Sequence, residues 1–464
     1  MDALQHCLPP NLREYLNELP ETLDETYERI LKGINKAQKD NAHRLLQCLT
    51  VAVRPLLVEE LAELLAFDFT ASSRRLPTLK EGWRWDDEEE AVLSTCSSLV
   101  TITRRDDSRV VQFSHFSVKE FLTSSRLAQS PNGEISRFRI DLEPAHTLMA
   151  QACLATLLRL DEHAGRSGAK LSPLVKYAAQ HWVDHAQFER VSSRVREGMD
   201  DLFDSSKPHF AAWFRVHDID ERWSDFSPHP RDGVGSPLYY AAFCGFSDLA
   251  ECLIMKHPEQ VNARGGWNVF PLPAAVYKRH FPVMNLLYRH GAVVDVQGEY
   301  SRTPLHAALY SQRVDIMRWL LNHGADANAR TSAYYTPLSA AVTTNNLEAV
   351  QVLLEHNADI NLRSIYGEPL LYEALTGVES KAVLVIFKLL EHGADPNLCN
   401  RDHSTSLHKA SSRGWLEAAR LLLSYGAKVD RKDRDGKTPL QVAVSNGLEE
   451  LAKLLVEHGA VPQP

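Results

Sequence analysis

Long apolar runs, paired cysteines and an excess of basic charge are all missing from this 464-residue sequence. Its cysteines (Cys7, Cys48, Cys96, Cys153, Cys244, Cys252, Cys399) are odd in number and scattered, and no two are two residues apart. That spacing excludes a disulfide framework and a zinc ribbon, and it fits a reducing compartment. No stretch approaches the ~20 apolar residues a membrane span needs. The first 30 residues carry charges throughout, unlike a secretory signal. With a net charge of −9 and a pI of about 6.1, affinity for nucleic acid through phosphate neutralisation is not expected.

Catalytic motifs are also lacking. Gly436-Lys437-Thr438 is the one Gly-Lys-Thr, but a P-loop needs an earlier Gly where Arg431 stands. There is no HExxH, no Gly-rich dinucleotide loop and no EF-hand loop. What is present is ordinary globular composition, 44% hydrophobic and 24% charged, at a length that implies two or three domains.

From residue 236 the chain repeats itself. A turn dipeptide opens each segment, at Ser236-Pro237, Phe270-Pro271, Thr303-Pro304, Thr336-Pro337, Glu368-Pro369, Thr405-Ser406 and Thr438-Pro439, with intervals of 34, 33, 33, 32, 37 and 33 residues. A second marker keeps the same beat: HGAV at 290, HGAD at 323, HNAD at 356, HGAD at 392, YGAK at 425 and HGAV at 458. In TPLHAAL, Thr303 suits a helix N-cap and Pro304 the first helical turn, where no N–H is needed. Leu305, Ala308 and Leu309 then form an apolar stripe. A second helix is predicted over Val314–Asn322 with Ile316, Met317, Leu320 and Leu321 inward, ended by Gly324 in the left-handed conformation. One such helix pair cannot cover its own apolar face, so neighbours are required on both sides.

These residues resemble the ankyrin repeat over about 236–464, in about seven copies. The resemblance implies a Thr/His pair that braces each turn, which only Thr303/His306 and Thr405/His408 retain; Ser339, Leu371, Gln441 and Pro273 replace the His elsewhere. Pro273 predicts an irregular start to its helix. The extra residues of the fifth copy, near Gly377 to Lys381, predict a longer loop between its helices. Ankyrin stacks bind proteins through finger-like turns and a concave inner face. Trp267, Tyr300, Tyr334, Tyr335 and Tyr366 fall on those fingers and are candidate partner-binding anchors; packing on the adjacent finger is the alternative.

Residues 1–235 lack the repeat and read as mostly helical. Thr22 and Glu25 form a capping-box pattern ahead of Leu23, Tyr27, Ile30, Leu31 and Ile34 at helical spacing. Helices are predicted at about Asn41–Val53, from Val58, and at about 88–97, with a loop over Thr70–Glu90 containing the acidic run WRWDDEEE. A hairpin around Asp106-Asp107-Ser108 follows, then a helix capped by Ser117 and Glu120. Three helices plus a hairpin describe a winged helix. Its second and third helices are not basic, and Glu59, Glu60 and Glu63 crowd the third, which argues against DNA as a partner.

The segment FSHFSVKEFL (Phe113–Leu122), with Asp2–Pro10, Leu19–Leu31 and Arg54–Leu61, resembles the region after the nucleotide-binding core of fungal NACHT-type signalling ATPases, the NOD-like class of STAND proteins. Residues 174–186 are similar to the helical spacer before the repeats there. The resemblance implies a core upstream of residue 2, either in a larger protein or lost from a truncated product, and it implies self-association. It also implies that His115 contacts the β-phosphate of ADP held by such a core; a buried His bridging strand and helix is the alternative. The other reading of the whole chain is a freestanding ankyrin adapter or scaffold.

His181 and His185, one helical turn apart, have no evident third ligand and are expected in the core rather than on a metal. Ser114, His115, Ser117 and Glu120 look like a triad but lack a nucleophile elbow and suit capping. The expected protein is therefore mainly α and non-enzymatic, with no cofactor or metal. It has a winged-helix-like module (1–130), a helical spacer (131–235) covering Leu238 and Ala241, and an ankyrin α-solenoid (236–464). It is expected to bind protein partners through fingers and concave face, and to be cytoplasmic, with the nucleus as the alternative.

Overall fold

The computed structural model describes residues 22–70, 76–96, 98–105, 108–128, 133–161, 163–164, 171–220, 235–265, 270–297, 303–331, 336–364 and 367–462. The chain divides into two compact bodies, one of residues up to 237 with 248–253, the other of 238–247 and 254–464.

The N-terminal body opens with α1 (Leu23–Gly33), whose cap Thr22 accepts a hydrogen bond at Oγ1 from the Glu25 N–H (3.2 Å). Next come α2 (Lys39–Val51), β1 (Leu56–Leu57), α3 (Val58–Leu65), β2 (Phe67–Asp68), β3 (Thr78–Leu79), α4 (Glu88–Cys96), β4 (Val100–Arg105), β5 (Ser108–Phe113) and α5 (Phe116–Thr123). β1, β5 and β4 form an antiparallel sheet in that order, with Leu56 opposite Val111 and Arg105 opposite Ser108. Helix, short strand, two helices and a two-stranded wing is the winged-helix arrangement. Its core is Leu45, Leu46, Leu56, Leu61, Leu64, Val92 and Val111, all buried. Each such side chain contributes roughly 1.5–3 kcal/mol.

Two expectations here need correction. The predicted loop over 70–90 carries structure at both ends. β2 and β3 pair Phe67 with Leu79 and Asp68 with Thr78, and α4 already begins at Glu88. Buried Phe67 anchors the pairing, while the polar composition between the strands masked it. The cap of α5 is His115, not Ser117: His115 is extended (φ −149°, ψ 147°) and its Nδ1 accepts from the Ser117 N–H at 3.3 Å. Ser117 therefore lies inside the first turn.

Beyond the wing, α6 (Leu142–Leu157) is apolar on nearly every side and packs along α7 (Leu174–Ala186). α8 (Arg196–Leu202) and α9 (His209–Val216) close over them. Trp182 and Trp213 meet edge to face at 5.4 Å, and the Trp213 indole donates to the Ala179 carbonyl (3.0 Å).

From residue 237 seven helix pairs follow one another among the described residues. The inner helices are Pro237–Cys244, Pro271–Lys278, Pro304–Tyr310, Pro337–Thr343, Leu370–Ala374, Ser406–Arg413 and Pro439–Ser445. The outer ones are Ser247–Lys256, Phe281–Arg289, Val314–Asn322, Leu347–Glu355, Glu379–Glu391, Leu416–Ser424 and Glu449–Glu457. From the second pair onward each inner helix packs on the next inner helix and each outer on the next outer. The expected apolar stripes are buried: Leu305, Ala308 and Leu309 inside, Ile316, Met317, Leu320 and Leu321 outside. On the last helix Lys453 and Glu457 are exposed, as a terminal repeat needs.

Two periodic devices hold the array. The turn between paired helices places one residue at positive φ in every repeat: Gly245, Arg279, Gln312, Asn345, Gly377, Gly414 and Gly447. An Asn or Asp near the end of one repeat accepts a backbone N–H 31 residues ahead, from Asn262 to Val293, Asp295 to Asp326, Asn328 to Asp359, Asn397 to Lys428 and Asp430 to Val461.

Pro273 leaves its helix regular, because it sits in the first turn, where N–H groups have no intrahelical partner. In the fifth repeat the loop between the helices, 375–378, is longer than the others, by one residue over that of the third repeat, 311–313. Most of the insertion lengthens the outer helix, which has 13 residues where the neighbouring outer helix Leu416–Ser424 has 9. Four residues make close to one turn, so Ala382, Val385, Ile386, Leu389 and Leu390 stay on one buried face.

Candidate functional site

Each inner helix is fixed by its first turn. Thr303 Oγ1 lies 2.9 Å from His306 Nδ1, and Thr405 Oγ1 lies 2.8 Å from His408 Nδ1. His408 Nε2 also reaches the Lys437 carbonyl (3.1 Å) and so ties the sixth repeat to the seventh. Where the His is absent, other side chains do the same work: Ser339 donates its N–H to Thr336 Oγ1 (3.2 Å), and Gln441 Oε1 accepts from the Thr438 N–H (3.0 Å).

With Leu and Ala of the inner helices buried, the positions near their C-terminal ends remain at the surface. Tyr310, Thr343, Ser412 and Ser445 occupy one row across successive repeats, and Tyr277 is half-buried in the same row. The row runs from aromatic to small and polar side chains. Lys409 and Arg413 stand one turn apart on the sixth inner helix. Lys409 Nζ sits 4.1 Å from the centre of the Tyr372 ring and donates to the Tyr372 carbonyl (3.0 Å). The Arg413 guanidinium lies 5.2 Å from the Trp415 ring centre. Lys409 was missed by sequence reasoning, for nothing in TSLHK marks a lysine that a neighbouring repeat will cover. The anticipated anchors Trp267, Tyr300, Tyr334, Tyr335 and Tyr366 all lie outside the described residues.

His115 is exposed at the junction of β5 and α5, which corrects the picture of a buried bridging residue. Its Nδ1 is 2.5 Å from Ser117 Oγ, and that hydroxyl is 2.7 Å from the Tyr27 phenol of α1. Because Nδ1 accepts the Ser117 N–H, the ring proton resides on Nε2. Phe116 beside it is exposed. Ser114 donates its hydroxyl to the Leu99 carbonyl (3.2 Å). These groups brace a strand–helix junction, and the triad-like spelling has that origin.

The acidic residues of the winged helix are spoken for. Glu60 is buried in a two-pronged pair with Arg54 (2.8 and 2.6 Å) and accepts the Leu57 N–H. Glu63 meets Arg84 (2.8 Å) and accepts the Leu174 N–H (2.9 Å), capping α7. Arg109 on the wing bridges Glu59 and Glu89, both at 3.1 Å, and Asp87 caps α4 through the Glu89 and Glu90 N–H groups.

His181 and His185 do not converge. His181 pairs with Asp184 (3.0 Å), whereas buried His185 bonds Tyr177 and His146. Among the described residues no three His, Cys, Asp or Glu side chains are grouped to hold a metal, and no helix is long and apolar enough to cross a membrane.

An ankyrin-repeat family model matches three times over the array, at 238–331, 272–364 and 371–463. The C-terminal half is an ankyrin-repeat array. Each match to the ankyrin model spans more than one helix pair. A model described as the winged helix domain of GPI inositol-deacylase matches residues 27–133. A curated relative, azaphilone pigments biosynthesis cluster protein L of Monascus ruber, is 33% identical over 293 residues. The match covers 59% of this chain, and the chain spans about 60% of that relative's length. Among solved structures, the ankyrin repeat domain of Bcl-3, a member of the IkappaB protein family, is 30% identical at a TM-score of 0.44, covering 48% of this chain and all of that one. An ankyrin repeat domain from Acinetobacter baumannii AYE is 28% identical at a TM-score of 0.39, covering 41% of this chain and 98% of its own. Ankyrin arrays are scaffolds for protein–protein interaction, and this half of the chain is one.

Proposed function

We propose that the chain is the partner-sensing and regulatory half of a NACHT-class signalling protein. The ankyrin array takes up a protein partner, and the winged helix passes the event to a nucleotide-binding core. The supporting observation is the order of the two parts: a winged helix of the kind that accompanies NACHT cores stands ahead of an ankyrin array in one chain. In this reading the chain is cytoplasmic and performs no catalysis itself.

His115 fits the relay chemically. Its Nε2 carries the proton and has no partner among the described residues, so it is a ready donor for an anionic phosphate oxygen. A donor shared between two domains makes their orientation depend on nucleotide state. On the array, Trp267, Tyr300, Tyr334, Tyr335 and Tyr366 are the proposed anchors.

Two measurements test the reading. An antibody against the repeats, used on native lysate, is expected to find a product tens of kilodaltons heavier than 52.2 kDa; a product of that mass would leave His115 with capping alone. Changing Tyr300, Tyr334 and Tyr366 to Ala one at a time is expected to weaken partner capture with the melting temperature unchanged. Unchanged capture with a large fall in melting temperature would sink the anchor assignment.

A further inference from the structure

We propose that the fingers and inner helices of the sixth and seventh repeats seat an acidic segment of the protein partner. This rests on the reading of the array as a partner-binding surface and names the chemistry of one part of it.

Segments 399–415 and 428–441 together hold eight Lys and Arg against four Asp, within a chain whose net charge is −9. Three of those Asp are committed. Asp433 accepts the Asp435 and Lys437 N–H groups (3.0 and 2.9 Å) and shapes the seventh finger. Asp402 faces Arg434 at 3.5 Å, and Asp430 accepts the Val461 N–H. The cations are not neutralised. Among the described residues, Arg401, Lys409, Arg413, Arg431, Lys432 and Lys437 have no carboxylate within ion-pair distance, whereas cations elsewhere on the array are paired, such as Arg279 with Asp315 (2.5 Å), Arg318 with Glu355 (3.0 Å) and Lys388 with Glu391 (2.7 Å).

The open cations are also held in place. The Arg434 N–H donates to the Asp402 carbonyl (2.9 Å), so the tips of fingers six and seven stand side by side. Arg401 folds against Gly367 of the preceding finger. Lys409 and Arg413 are each held over an aromatic ring. Lys409 is half-buried, and burial pushes its ammonium below the usual lysine range. Glu368 and Glu373 face it from the fifth repeat without reaching it. Cations ordered before binding lose less freedom when an anion arrives. The patch covers two repeats only, and the net negative charge of the chain opposes a long phosphate polymer more than a short peptide. An acidic peptide segment is the occupant the charge pattern favours.

The test uses the full chain and three fluorescent probes at low and moderate salt: a short polyglutamate peptide, a polyglutamine peptide of the same length, and a DNA oligonucleotide. Anisotropy should report polyglutamate binding that salt weakens, with no binding of polyglutamine. The double variant Arg413→Glu/Lys437→Glu, with its melting temperature unchanged, should lower polyglutamate affinity by about ten-fold or more. Absent polyglutamate binding, or binding the double variant retains, overturns the proposal. Tighter DNA binding lost in the same variant overturns it too, by making the surface a phosphate site. If polyglutamate fails while tyrosine-dependent partner capture persists, the acidic seat is wrong and the partner-binding reading stands. Loss of both would remove that reading as well.

Discussion

His146 Nδ1 lies 3.0 Å from His185 Nδ1, and only one proton fits between them. The surrounding hydrogen bonds favour one assignment of it. The Tyr177 oxygen accepts the Val53 N–H (3.2 Å), and His185 Nε2, at 2.9 Å, is the acceptor in reach of its own O–H. His185 then carries its proton on Nδ1 and donates to His146. Neither imidazole can take up a second proton without opposing a donor to a donor.

This geometry makes the N-terminal body acid-sensitive. Burial, then the neighbouring His146, pulls His185 down to about 3; burial and Lys119 also lower His146. Unfolded, both return to the ordinary value of about 6.5. Below that pH the unfolded chain binds more protons than the folded one, so stability falls with acidification, and the loss continues until folded His185 itself titrates near about 3. At about pH 5, His185 alone is expected to remove about 2 kcal/mol. Unfolding followed by the buried pair Trp182 and Trp213 checks this. His185→Gln should flatten the fall between neutral pH and about pH 5; an unchanged slope would assign the acid response to other groups.

The turn residues of the array predict opposite outcomes for two substitutions. Gln312 is a side-chain-bearing residue at φ +54°, whereas Gly414 at φ +72° has Leu448 only 3.0 Å from where a Cβ would lie. Gln312→Gly should raise the stability of the array by about 1 kcal/mol, and Gly414→Ala should lower it by at least that much. Urea unfolding of the two variants measures both signs.

Asn397 is the clearest rung of the ladder between repeats. Its Oδ1 accepts the Lys428 N–H (2.8 Å) and its Nδ2 donates to the Gly426 carbonyl (3.0 Å). Asn397→Ala should cost about 1–2 kcal/mol, felt mainly by the last two repeats because contacts in a solenoid are between neighbours. Hydrogen exchange at the Lys428 amide should speed up while exchange in the third and fourth repeats holds.

The array was legible because its signals are local and periodic. Thr303, Pro304 and Gly324 each stand where the turn chemistry demands, and the helices follow. The fifth repeat was read only in part, because an insertion after Gly377 looks the same in sequence whether it enlarges a loop or adds a helical turn; the buried face of Ala382 to Leu390 shows that most of it is helix. In the N-terminal body the three helices and the wing were visible from apolar spacing. β1 was not, since two residues carry no period and Leu56 becomes a strand only through Val111. The His146–His185 contact spans 39 residues, and Lys409 over Tyr372 spans 37, so neither has a signature in the sequence.

Cross-linking the full chain to its captured partner with a lysine-reactive reagent tests the central claim most directly. If the array is the partner-binding surface, cross-links should gather on Lys278, Lys409 and Lys437. Cross-links confined to Lys36, Lys80 and Lys119 of the N-terminal body, with none on the array, would contradict the account.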